Sequence, residues 1–457
     1  MEIFVAKNNT YQPKQSQQLW RDGSSKPRER MLQCSRGIRM VKTLTLCFVV
    51  LTTLAVAMPA AVATTKYPIV IEDSAGNTIV IDKPVERIVA LTSDAAEVIR
   101  AIGAADRVVG VSKYVVQDEV FFPELSQLPN VGSCFSPDVE KIIELEPDIV
   151  ITYVKWPTPD KLDEHLEGTD IKVVRLDFYK PSNMSEEVEK LGLILEREDE
   201  AAELVEWYEA KMDEIESVVS GIPDEERVRV YFEMYKDYKA CGLGSGGHEM
   251  LTLAGGRNIV VEEGITDDYP EIDPEFVVEE NPDVIVKALS DSRASNGYDE
   301  EDPTPMKEYR ETVMGRPGWD EIKAVQEGRV YMLSADIYVG PAYPVGVAYL
   351  TTWFYPEEVA GIVKPRSWHR EYLERFHNLG YSGVFTYPLL FGDANIDDVV
   401  SIRDAQWIAK YDVGLVDEGD IDVAAADVNG DRRVTITDAL LVAKYIVGLI
   451  EEFPVEA

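Results

Sequence analysis

Asp393, Asn395, Asp397, Ser401 and Asp404 stand at positions 1, 3, 5, 9 and 12 of a twelve-residue stretch, and Asp427, Asn429, Asp431, Thr435 and Asp438 repeat that spacing 34 residues later. Side-chain oxygens at alternate positions of one tight loop converge on a common centre. Calcium, which takes six to eight hard oxygens, is held in this way. Val399 and Arg433, at position 7, add backbone carbonyls, and the apolar Val400 and Val434, at position 8, tie each loop to a core. Each loop runs into a similar helical segment, DAQWIAKYDVGL (404–415) and DALLVAKYIVGL (438–449), identical at eight of twelve places. The pattern predicts a small all-α domain with two calcium sites. Position 6, where glycine normally supplies a positive φ, carries Asp398 and Arg432. Asp tolerates that conformation better than Arg, so the second site is expected to be weaker or reshaped.

A loop followed by a helix, duplicated at this distance, resembles a type I dockerin over residues 390–457. The resemblance implies a cohesin-bearing partner. The residues just before each closing Asp, Ile402-Arg403 and Ile436-Thr437, differ, so the two helices are not expected to be interchangeable in recognition.

The chain has 457 residues and a formal net charge of −38. The length allows two or three domains, and the charge opposes nucleic acid and anionic membrane surfaces as partners. Residues 40–63, MVKTLTLCFVVLTTLAVAMPAAVA, read as a signal peptide: a charged start, a short apolar run and a small-x-small cleavage site. Residues 1–39 are polar and basic and read as a mis-assigned or disordered extension. A secreted, extracellular or cell-surface product follows. Two of the four cysteines then remain, Cys134 and Cys241, which suit one disulfide, a pair facing a cleft, or small apolar fillers.

Between the export segment and the calcium loops, short apolar runs such as Arg87 to Leu91 and Val108 to Val111 alternate with helical stretches. This alternation predicts an α/β domain with a parallel sheet, ligands meeting the loops at the strand C-termini. The pattern is written twice. In SPDVEKIIELEPDIVI (136–151) and IDPEFVVEENPDVIV (272–286), Glu140 and Glu275 each precede a Pro-Asp pair by seven positions, with an apolar strand after it. Two similar lobes are expected, 64–182 and 221–389, joined by a long helix over 183–220 that Asn183 and Glu186 would cap.

These pieces, with IEDSAGNTIVIDKPVERIVAL (71–91), IGAADRVVGVSKY (102–114), LAGGRNIV (253–260) and GWDEIKAVQEGRVYML (318–333), resemble the class III solute-binding proteins of ABC importers for cobalamin, haem and iron–siderophore complexes. The resemblance implies two Rossmann-like lobes joined by a long helix. It implies that Glu140 and Glu275 dock an ABC permease. It also implies a ligand cleft between the lobes, lined by Ser93, Tyr114, Cys134, Phe135, Tyr153 and Trp156 from the first and Tyr235, Ser245, Tyr269 and Tyr338 from the second. Aromatic walls suit a metal chelate or tetrapyrrole. Enzymatic chemistry has little support. There is no HExxH among the four histidines, and Leu243 replaces the first glycine that a GxSxG elbow around Ser245 requires. The rival expectation is a structural module of a cohesin–dockerin surface complex that binds no nutrient.

Overall fold

The computed structural model describes residues 66–290, 293–338 and 340–456, so the basic extension and the export segment lie outside the described residues. Among the described residues no helix is long and apolar enough to cross a membrane.

Gly76, at φ 80°, turns the chain between β1 (Ile69–Glu72) and β2 (Thr78–Ile81), an antiparallel hairpin. The first lobe then follows the expected alternation: β3 (Ile88–Ala90), α1 (Ser93–Ala101), β4 (Val108–Val111), a two-residue ribbon β5 (Gly132–Ser133) and β6 (Ser136–Pro137), α2 (Val139–Glu144), β7 (Ile149–Thr152) and β8 (Lys172–Arg175). Its parallel sheet runs β4-β3-β7-β8.

The stretch 183–220 is two helices, α3 (Met184–Leu195) and α4 (Glu198–Val219), where one had been expected. Glu196 adopts a left-handed φ of 53° and ends α3. Gly192 lets the helices approach closely, since a Cβ there would stand 2.4 Å from the Ala201 Cβ. Asn183 makes no side-chain capping bond, because its φ and ψ of −104° and −15° are already near-helical. Helix α4, 22 residues long, buries Leu204, Tyr208, Ile215 and Val219 along one face.

The second lobe holds β9 (Arg229–Glu233), α5 (Gly246–Leu253), β10 (Arg257–Asn258), α6 (Pro274–Glu280), β11 (Val284–Leu289), β12 (Val330–Ser334), α7 (Tyr343–Phe354), α8 (Pro365–Tyr372) and β13 (Thr386–Tyr387). Its sheet order is β10-β9-β11-β12-β13, with only β13 antiparallel. The two lobes therefore share one topology.

The sequence repeat has a physical cause. Asp148 accepts from the backbone N–H of Glu86 and Arg87, and Asp283 accepts from that of Arg229. Each Pro-Asp carboxylate thus pins the start of its lobe's first strand. The turn before each pair is left-handed, at Glu146 (φ 44°) and Asn281 (φ 47°). Lys83 and Lys323 lie against the two aspartates at 2.6 and 2.7 Å.

Two further helices, α9 (Ile402–Asp412) and α10 (Ile436–Ile446), close the chain and pack on each other. Each opens on a capping box, Ser401 with Asp404 and Thr435 with Asp438. The position-12 aspartates therefore also start their helices.

Candidate functional site

Residues that follow strands of the two sheets carry contacts between the lobes: Asp94 after β3 and Lys155 after β7 from the first, Gly340 after β12 from the second. After β3, Asp94 accepts a 2.6 Å hydrogen bond from the Tyr153 hydroxyl, which follows β7. The second lobe closes on this pair: a Cβ on Gly340 would lie 3.8 Å from the Asp94 carboxyl carbon. Lys155 and Asp268 join the lobes at 3.0 Å, and the Glu249 carboxylate accepts from the Ser182 N–H at 3.0 Å. The lysine–aspartate pair is half exposed and contributes at most about 1 kcal/mol. It marks a closed mouth more than it enforces one.

Burial dominates the electrostatics of the walls. It pushes the Asp94 carboxyl up, with the Tyr153 hydroxyl pulling back. It holds Tyr153, Tyr179, Tyr235 and Tyr269 well above an ordinary phenol, so they are neutral hydrogen-bonding faces. Cys134 is pushed to about 12 by burial and then by Asp94; Cys241 reaches about 12 by burial. Both are free thiols. Either would have to lose a proton before it could ligate a metal.

Among the residues singled out for the cleft, Tyr114 and Phe135 are exposed, and Phe135 leans on half-buried Trp156 with ring centroids 5.8 Å apart. Tyr153, Tyr235 and Tyr269 are half-buried. Ser93 is half-buried, its hydroxyl 3.4 Å from Asp94. Ser245 and Tyr338 are wholly buried. The Ser245 hydroxyl is used up in capping α5 and bonding to the Gly242 carbonyl. Tyr338 lies beneath the wall, on Cys241 at 3.2 Å and Met234 at 3.0 Å, and braces Tyr235 edge-to-face. Sequence reasoning missed Asp94 and Tyr179. Asp94 sat beside Ser93 at a helix start, where an acid is unremarkable. Tyr179 gave no signal, because only folding sets it edge-on to Tyr153 at 5.1 Å.

In the first of the two acidic loops, Asp393, Asp397 and Asp404 each offer an oxygen within 4.8 Å of the others. The Asn395 Oδ1 is buried and makes no hydrogen bond, an orphaned acceptor at position 3. Three carboxylates around an unspent amide oxygen suit a hard cation. The second loop is self-satisfied: Asn429 donates to Asp438 at 2.8 Å and accepts from the Asp431 N–H at 2.9 Å. Val399 and Arg433 point their side chains to solvent, leaving only their backbone to the loops.

A family model described as "Periplasmic binding protein" matches residues 88–337, more than half of the chain. The chain belongs to the periplasmic binding protein family. A second model, "Dockerin type I domain", matches residues 391–447. This is therefore a two-lobed class III solute-binding protein fused to a C-terminal dockerin, and the family is a non-catalytic component of transport. A cobalamin-binding protein of Halobacterium salinarum is 28% identical over 233 residues, covering 50% of this chain and 60% of the relative. A vitamin B12-binding protein of Vibrio cholerae is 23% identical, covering 55% and 82%. Among solved structures, the TroA-like periplasmic binding protein FepB of Veillonella parvula matches at TM-score 0.60 and 24% identity, covering 70% of this chain and 99% of that one. The molybdate-bound protein MolA of Haemophilus influenzae matches at TM-score 0.57 and 19% identity, covering 69% and 99%. These likenesses extend to the fold.

In this periplasmic binding protein the repeat places Glu140 and Glu275 alike. Both are exposed, each in the first turn of a short helix (α2, α6) that an aspartate caps, Asp138 or Asp273. Among the described residues neither forms an ion pair within 4.0 Å; Lys141 pairs with Glu144 and Lys236 with Glu271.

Proposed function

We propose that this chain is an extracellular solute-binding protein that captures a corrinoid, haem or iron chelate for an ABC importer. In this reading a calcium-loaded dockerin tethers it to a cohesin-bearing protein. The observation that carries the reading is the set of half-buried aromatic faces that both lobes contribute (Tyr153, Trp156 and Tyr179; Tyr235 and Tyr269), with Tyr153 bonded to Asp94 and Tyr179 edge-on to Tyr153. Such walls offer large contact area with few charged groups to desolvate. The cobalamin-binding and vitamin B12-binding relatives make a corrinoid the first cargo to test. Glu140 and Glu275, one per lobe, are the proposed contacts to the permease.

Thermal unfolding of the mature protein, with calcium present, tests this against cobalamin, haem and ferric siderophores. One of them is expected to raise the melting temperature saturably, by RT ln(1 + [L]/Kd) in stability. Charge reversal at both Glu140 and Glu275 should leave that shift unchanged and abolish uptake. The absence of a shift with every compound would favour a structural module.

The two calcium loops are proposed sites for Asp393, Asn395, Asp397, Val399, Ser401 and Asp404, and for Asp427, Asn429, Asp431, Arg433, Thr435 and Asp438. Calorimetric titration is expected to resolve two steps. The tighter one belongs to the first loop, since Asn429 must first turn its amide away from Asp438. Asn395→Ala should weaken the tighter step by on the order of tenfold and spare the other. The cohesin is expected to meet α9 and α10, where Ile402, Ile436 and Leu440 are 53%, 59% and 55% exposed.

A further inference from the structure

We propose that the first calcium loop is a mount: it fixes the dockerin to the second lobe, and calcium binding in that loop and closure of the seam are one coupled event. This rests on the calcium reading of the loops given above.

Two loop residues face the lobe instead of solvent. Ile396, at position 4, has a left-handed φ of 59° and is wholly buried. A β-branched residue is disfavoured there, and its side chain belongs to the apolar cluster that holds Tyr349, Tyr381 and Phe385 of the lobe. Asp398, standing where glycine is usual, accepts from the backbone N–H of Arg366 at 3.1 Å and of Ser367 at 3.0 Å. These are orphan donors in the first turn of α8, whose own Lys364 offers no side-chain cap. A residue of the loop therefore caps a helix of the other domain.

The lobe answers with two arginines. Arg366 is buried, and its guanidinium reaches Asp393 at 3.0 Å, Asp422, and the Leu390 carbonyl at 3.1 Å. Arg370 donates to the Asn395 carbonyl at 3.0 Å. Asp393 is shared: it also accepts from the N–H of Asp397 and Asp398, so it orders the loop as well as receiving Arg366.

The second loop shows the contrast. Gly430 holds position 4, and a groove of about 560 Å³ lies between this loop and the lobe, lined by Glu301, Asp302, Lys307, Asp427 and Arg432 among others. Arg432 reaches Asp302 at 2.8 Å, but its side chain is 78% exposed. One loop is sealed to the lobe and the other stands beside it.

Whatever orders Asp393 and Asp397 around calcium also places Ile396 and Asp398 in the seam. By linkage, the formed seam must then raise calcium affinity by the same factor.

Hydrogen exchange of the full chain, with calcium and with chelator, tests the mount. Calcium is expected to slow exchange about tenfold in the first turns of both α8 and α9. In Asp398→Gly, where glycine suits the φ of 64°, α9 should keep its protection while α8 loses it. Protection of α9 alone in the unaltered protein, or of α8 in Asp398→Gly, would overturn the mount and leave the calcium reading standing. No effect on either helix would overturn both.

Discussion

Glu233→Gln is expected to destabilise the second lobe by about 3–5 kcal/mol, seen as a lower urea midpoint with an unchanged slope. Glu233 ends β9 and is buried, with Lys287 at 2.8 Å on one side and both terminal guanidinium nitrogens of Arg316 at 2.9 Å on the other. The amide keeps the shape and removes the charge. Two cations then share only Asp237, whose side chain is 40% exposed. Lys287→Met should cost less, because Arg316 still neutralises Glu233. The inequality of the two variants is the decisive result. Equal costs would mean that packing, and not charge, holds the site. The network also serves the cleft: the Lys287 ammonium donates to the Met234 carbonyl, one residue before Tyr235. Ligand affinity should therefore fall in Glu233→Gln.

Stability of the closed protein is expected to fall as pH rises from about 6.5 to 8. The source is Glu97 on α1, whose carboxyl burial raises to about 8 against the opposing pull of the Tyr372 hydroxyl. That hydroxyl donates to Glu97 at 2.6 Å; Arg100, Asp94 and Asp336 are the charged neighbours. The folded-state value lies above the unfolded one, so the native protein holds the proton longer. Stability is then greatest below the unfolded value and is lost as pH climbs towards 8, at up to about 1.4 kcal/mol per pH unit for one proton. His369, held neutral by burial at about 3, and His377, also lowered, act the other way below about pH 6.5. Glu187, which burial raises to about 7, adds to the fall up to that pH, and Glu97 carries it from there to about 8. Glu97→Gln should flatten the pH profile there and raise the melting temperature at pH 8.5. A profile unchanged by the substitution would show that the proton sits elsewhere.

Much of the architecture was legible because it is periodic. The repeated Pro-Asp pair is readable since the same capping task recurs at the same place in each lobe. The two acidic loops are readable since all their proposed calcium ligands lie within twelve residues. The interruption at Glu196 was hidden: neither proline nor glycine marks it, and an ordinary glutamate takes the left-handed turn because α3 and α4 pack back on each other at Gly192. The cleft was legible by class of residue and much less by individual. Ser245 looks available in sequence, but its hydroxyl is committed to the helix it starts. Asp398 and Arg432 read as departures from a loop pattern, and their bonds to α8 and Asp302 give them work in the tertiary structure.

The sequence by itself determined the two-lobed plan and the dockerin, because short-range spacing fixes which way neighbouring side chains point. Only the tertiary structure decided which charges share a site. Arg366 meets Asp393 across 27 positions, Arg316 meets Glu233 across 83, and Tyr372 meets Glu97 across 275. At such separations a pairing is set by how the sheets and helices stack, and no local pattern of residues carries that information.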